Sequence, residues 1–169
     1  LNLLQNLKNL RSQENMKPES PLPLVSILIP ARNEEGRIEN CVTSLLQSDF
    51  PRLEIIVLDD NSTDRTYEII KDLSRRHQKL RVIKGKELPP GWNGKNWACH
   101  QLSLAARGDW FLFTDADTVH KPQSVSTALA AARKRKSLLV SCIPSFITKT
   151  WAEKLYFPII HFVFVALLP

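Results

Sequence analysis

The 169-residue chain is poor in the residues that staple small secreted domains or build structural metal sites. Its 3 cysteines, Cys41, Cys99 and Cys142, form no CxxC pair, which argues against a disulfide scaffold and against structural zinc. Its 4 histidines are scattered, with no HExxH and no zinc-finger spacing. Glycine is scarce at 5 residues, and no GxGxxG follows an apolar run, so a dinucleotide dehydrogenase is disfavoured. The segment GWNGKN, residues 91–96, has Pro89 where a P-loop needs its first glycine and Asn96 where it needs Ser or Thr, and a P-loop NTPase is rejected. There is no signal-peptide apolar region near the start. The apolar run LYFPIIHFVFVALLP, residues 155–169, is shorter than the about 20 residues that span a bilayer. A reducing, cytosol-facing compartment is the simplest reading.

Acidic residues are also missing from one place. The net charge is +6, yet from Val25 to His120 the balance is −1, and from Lys121 to Pro169 it is +6 with Glu153 as the single acid. A nucleic-acid binder would carry the excess on its main folded part, so no nucleic-acid partner is expected. A basic block that runs into an apolar segment points instead to a membrane surface. Leu3, Leu7 and Leu10 share one helical face, and residues 12–24 read as a Pro-rich linker. The expected organisation is an amphipathic segment and linker over 1–24, one domain over 25–148, and an apolar membrane-associated segment over 149–169 that continues in a longer protein.

Short apolar runs alternate with helical patterns. The runs predict strands at 25–29, 54–58, 80–83, 110–114 and 138–143. Residues 37–47, 63–76, 96–106 and 122–136 place apolar side chains at helical spacing, with Ser62 or Thr63 as cap of the second helix. Residues 84–95 form a Pro- and Gly-punctuated loop. This alternation predicts an α/β fold with a mainly parallel sheet.

In such a sheet ligands bind beyond the carboxyl ends of the strands. The first strand is followed by PARNEE (30–35), the second by DDNSTD (59–64) and the fourth by DAD (115–117). A lone DxD is a common solvated turn. Three acidic strand ends on one edge repel one another unless a cation sits among them. Mg²⁺ takes one or two carboxylates and completes its shell with substrate phosphates, which fits a nucleotide-diphosphate substrate.

In their order and spacing, VSILIPARNEE, EIIVLDDNSTDRT and GKNWACHQLSLAARGDWFLFTDADT resemble the nucleotide-binding half of family 2 glycosyltransferases, which are inverting enzymes of the GT-A, Rossmann-like fold. The resemblance covers about Pro23 to Phe146. The loop LPPGWNGKNWA is similar to a membrane-associated subgroup found with carotenoid and hopanoid biosynthesis.

The resemblance implies a hexosyl-type glycosyltransferase that uses a divalent cation, Mg or Mn, and a UDP-linked donor. Pro30, Ala31 and Glu34 would line the nucleotide pocket. Asp60 would contact the base, with Asp59 beside it. Lys95 would lie near the nucleotide, Asp115 would touch ribose or sugar, and Asp117 would bind the metal. An inverting transfer also needs a general base for the acceptor hydroxyl. The family's base lies well downstream of the DxD, so it is expected beyond Pro169. Glu153 is the sole acid after Asp117 and reads as a solvated residue. The expected acceptor is a lipid, met at the cytoplasmic face of the membrane. Two alternatives remain open: a donor-binding fragment without activity, and a sugar nucleotidyltransferase. The latter would need a Gly-rich basic loop after the first strand, where ARNEEG stands.

Overall fold

The computed structural model describes residues 17–142, 150–156 and 158. The amphipathic pattern at Leu3–Leu10 and most of the apolar run after 156 lie outside the described residues. One compact unit, Glu19–Ser126, carries every strand found among the described residues.

Its elements are β1 (Val25–Ala31), α1 (Ile38–Leu46), β2 (Leu53–Asp59), α2 (Thr66–Arg76), β3 (Leu80–Lys84), α3 (Gly94–Ala105) and β4 (Trp110–Phe113). A further helix, α4 (Ser124–Lys134), follows. The four strands are all parallel, in the order β3-β2-β1-β4. Right-handed crossovers explain the layering. The chain steps one way from β1 to β2 to β3, then returns across the sheet to β4, so α3 lies on the face opposite α1 and α2. Leu28, Ile56 and Leu58 pack with Ala98 and Leu102 of α3 on that face. The alternate side chains, Ile27, Ile29, Ile55 and Val57, are fully buried on the other. Burial on both sides is why β1 and β2 are continuous apolar runs. Truncating Ile55 to Ala would cost about 2–5 kcal/mol.

Register sets the site. Ala31 is level with Asp59, and Leu28 with Phe113, so the three acidic loops leave the sheet along one edge. At the opposite edge the chain enters β4 through a close approach. A Cβ on Gly108 would lie 2.6 Å from Ser26 Oγ, so only glycine fits. Its N–H donates to that oxygen at 2.8 Å.

Two local expectations are corrected. The fifth strand does not form over 138–142, and Leu138 and Leu139 are 97% and 87% exposed. An apolar run becomes a strand only where a neighbour takes up its N–H and C=O groups. Strand β4 does form, at the sheet's edge, where Phe111 and Phe113 are exposed. Neither Ser62 nor Thr63 caps α2. Asp64 takes that place, its Oδ1 accepting from the Thr66 N–H at 3.0 Å.

The second compact unit takes in Thr127 onward. Residues 151–156 are helical, and Trp151 and Tyr156 are 79% and 67% exposed. Among the described residues no helix is long and apolar enough to cross a membrane.

Candidate nucleotide-sugar site

In this sheet β1 has β2 on one side and β4 on the other, and the connections diverge between β1 and β4. That is the topological switch point where a parallel sheet opens a crevice. A cleft of about 370 Å³ lies there, lined by Pro30, Ala31 and Arg32, by Glu34 and Asp60, by the start of α3, and by the DAD turn. Pro30, Ala31, Glu34, Asp60, Lys95, Asp115 and Asp117 thus come together from four segments of chain.

Asp59 is not on the lining. Asp60, the first residue beyond β2, is on the lining. The Asp59 side chain is buried, and its Oδ1 has no hydrogen-bond partner among the described residues.

Lys95 Nζ donates to Asp115 Oδ1 at 2.6 Å, joining the first turn of α3 to the end of β4. That hydrogen bond raises the lysine pKa above its ordinary value, so the ammonium stays charged through the neutral range. Arg32 stands 3.9 Å from Asp60. Asn93 caps α3 by accepting from the Lys95 N–H at 3.0 Å, which fixes where the lysine leaves the helix. The preceding loop is held by α3 itself: Gln101 Oε1 accepts from the Lys86 N–H at 2.8 Å, and Trp97 stacks on His100.

Arg32, Gly94, Ala98 and Ala116 line the cleft as well, and sequence reasoning did not name them. Gly94 falls in the expected loop 84–95, and it opens α3 instead. A Cβ there would come within 3.8 Å of Asp60 Oδ2. Cys41, on α1, is fully buried and donates its S–H to the Asp115 carbonyl at 3.6 Å. Burial, with Asp117, Asp115 and Glu34 nearby, pushes its thiol up to about 12, so it is inert.

The lining sets four carboxylates, Glu34, Asp60, Asp115 and Asp117, against Arg32 and Lys95. Among the described residues no three His, Cys, Asp or Glu side chains make a complete cation cage. Asp115 and Asp117 are exposed carboxylates two residues apart. This suits a hard cation that keeps one or two carboxylates and takes phosphate oxygens for the rest. The residues present therefore fit Mg²⁺ or Mn²⁺ together with a diphosphate.

The family model of glycosyl transferase family 2 matches residues 26–163, which takes in the sheet and all three acidic loops. The chain belongs to glycosyl transferase family 2. It is 36% identical over 115 residues to the probable glycosyltransferase YdaM of Bacillus subtilis, covering 67% of this chain and 26% of that protein. It is 33% identical over 115 residues to the 4,4'-diaponeurosporenoate glycosyltransferase of Staphylococcus haemolyticus, covering 68% and 30%. The chain thus spans about a fifth to a third of the curated relatives it matches. Among solved structures, TarS 1–349 of S. aureus in complex with UDP-GlcNAc aligns with a TM-score of 0.55 and 27% identity, covering 75% of this chain and 38% of that one. The mannosyltransferase PcManGT of Pyrobaculum calidifontis, in complex with GDP-Man and Mn2+, aligns with a TM-score of 0.61 and 22% identity, covering 77% and 38%. The parallel sheet with its flanking helices is the nucleotide-binding part of the GT-A fold.

Proposed function

We propose that this chain binds the donor in the transfer of a hexosyl group, with inversion, from a UDP-linked sugar to a lipid acceptor at the cytoplasmic face of a membrane. The observation that carries the reading is the cleft at the switch point, where Glu34, Asp60, Lys95, Asp115 and Asp117 meet. Asp60, 17% exposed, accepts hydrogen bonds from the donor's base at the β2 end of the cleft. Asp115 and Lys95, at the β4 end, face the ribose and the diphosphate. Asp117, with Asp115 beside it, would hold the divalent cation. A cation there supplies Lewis-acid neutralisation of the leaving diphosphate. Lys95 adds a second positive charge on the same oxygens as the glycosidic bond breaks.

The lipid acceptor and membrane placement rest on separate support. Leu138, Leu139, Trp151 and Tyr156 are exposed apolar side chains in the same unit as the basic stretch 133–136. Such a pairing suits an anionic bilayer surface. Relatives carry names that include a beta-monoglucosyldiacylglycerol synthase of Nostoc and the diaponeurosporenoate transferase.

Titration calorimetry of the chain with UDP and GDP, with and without Mn²⁺, tests the donor site. Metal-dependent binding of UDP is expected. No binding of either nucleotide would overturn the reading. Release of pyrophosphate from UTP and a sugar 1-phosphate would favour the nucleotidyltransferase instead.

A further inference from the structure

The loop after β1 alternates. Arg32 and Glu34 line the cleft, whereas Asn33 and Glu35 are absent from it. The residues left over turn to the loop after β2. The Asn33 N–H donates to Ser62 Oγ at 3.0 Å, the Glu34 N–H to Thr66 Oγ1 at 2.7 Å, and the Glu35 N–H to Asp64 Oδ2 at 3.1 Å. Three successive amides of one loop thus end on side chains of the other. The exchange is returned. The Thr63 N–H donates to Asn33 Oδ1 at 2.8 Å, and the Arg65 N–H to Glu35 Oε2 at 3.0 Å.

Thr66 sits at the centre of this lattice. It is fully buried, and its hydroxyl donates to Asp64 Oδ1 while accepting from Glu34. Asn33 and Asn61 take up φ of +57° and +55°, the left-handed region that asparagine tolerates. Both loops therefore turn where they meet. A run of free amides in an open loop is an anion trap and a source of motion. Here those amides are already occupied, so the loop bearing Arg32 and Glu34 is tied to the loop bearing Asp60 before any ligand arrives.

We infer that Asn33, Asp64 and Thr66 are positioning residues for the nucleotide. None of the three lines the cleft, and they hold its β1 and β2 sides at the spacing a nucleoside diphosphate requires. This rests on the donor-site reading above. Its physical content is preorganisation: binding does not have to supply the ordering of two loops.

The test uses the full chain, titrated with UDP and with GDP in the presence of Mn²⁺. The variants are Asn33→Gly, which keeps the left-handed backbone and removes the side-chain acceptor, and Thr66→Val, which keeps the shape and removes the hydroxyl. Each is paired with a conservative partner, Asn33→Asp and Thr66→Ser. Nucleotide affinity is expected to fall about tenfold in Asn33→Gly and in Thr66→Val, in line with a lost hydrogen bond. Asn33→Asp and Thr66→Ser recover most of it. Hydrogen exchange of the Glu34 and Glu35 amides should speed up in parallel, at a temperature where circular dichroism shows each variant folded. A role in stability alone predicts a lower melting temperature with unchanged affinity, and that result in folded Asn33→Gly overturns the inference. Should Thr66→Val fail to fold, the Asn33 pair decides, because Asn33 is exposed. Absence of nucleotide binding by the unaltered chain would instead bring down the donor-site reading, and the positioning role with it.

Discussion

Lys95 and Asp115, 20 residues apart in sequence, close one wall of the cleft through a 2.6 Å contact between Nζ and Oδ1. The pair is more than half exposed on both sides, at 63% and 58%. Its contribution to folding is therefore small, and its importance lies in where it places a positive charge.

Lys95→Gln should leave the melting temperature nearly unchanged, since exposed pairs are worth less than about 1 kcal/mol. It should weaken binding of UDP by several-fold, because a cation facing the diphosphate is lost. Differential scanning calorimetry and UDP titration on the same sample check both halves. A large drop in melting temperature with intact affinity would show a structural lysine.

Asp117→Asn keeps the volume and removes the charge. The part of UDP affinity that depends on Mn²⁺ should disappear, with the metal-free part retained. Titrations at saturating Mn²⁺ and in EDTA separate the two. Unchanged metal dependence would remove Asp117 as a ligand.

Asp60→Ala should act differently. The proposed role of its carboxylate is to contact the base, so affinity should fall by a similar factor with and without Mn²⁺. Uridine alone should show the same loss. An effect confined to the metal-dependent part would move Asp60 from the base to the phosphates.

His120 gives the fold an acid-side sensitivity. Its Nε2 lies 3.0 Å from Thr114 Oγ1, and burial lowers its pKa below the ordinary value. The unfolded chain therefore binds this proton first as pH falls through about 6.5. Stability is full above that pH and declines below it. Melting temperature should drop between pH 7.5 and pH 5.5, and His120→Gln should flatten the drop. A variant with the unaltered pH profile would exclude this histidine as the cause.

The membrane reading is tested by flotation. Residues 1–169 should rise with anionic vesicles, and a chain ending at Thr150 should rise much less. Basic residues near such a surface contribute about 1 kcal/mol each, so raising the salt should release the protein. Equal behaviour of the two chains would rule out residues 151–169 as the anchor.

Much of this protein was legible in one dimension. Buried parallel strands are apolar on both faces, so VSILI and EIIVL announced β1 and β2, and the acids directly after them announced the cleft. Helix spacing placed α1, α2 and α3 to within a few residues. Tertiary structure decided the rest. The apolar run 138–142 had the composition of a strand, but composition does not supply a partner ladder, and no strand forms there. Asp59 and Asp60 are adjacent acids in a string of letters, yet Asp59, the last residue of β2, is buried while Asp60, just beyond it, lines the cleft. Cys41 comes to lie beneath Asp115, 74 residues further along, because a helix on one side of the sheet ends up under a turn on its edge. The bonds that tie Asn33 to Thr63 and Glu34 to Thr66 are likewise invisible to periodicity, which reports which way a residue faces and not what it meets.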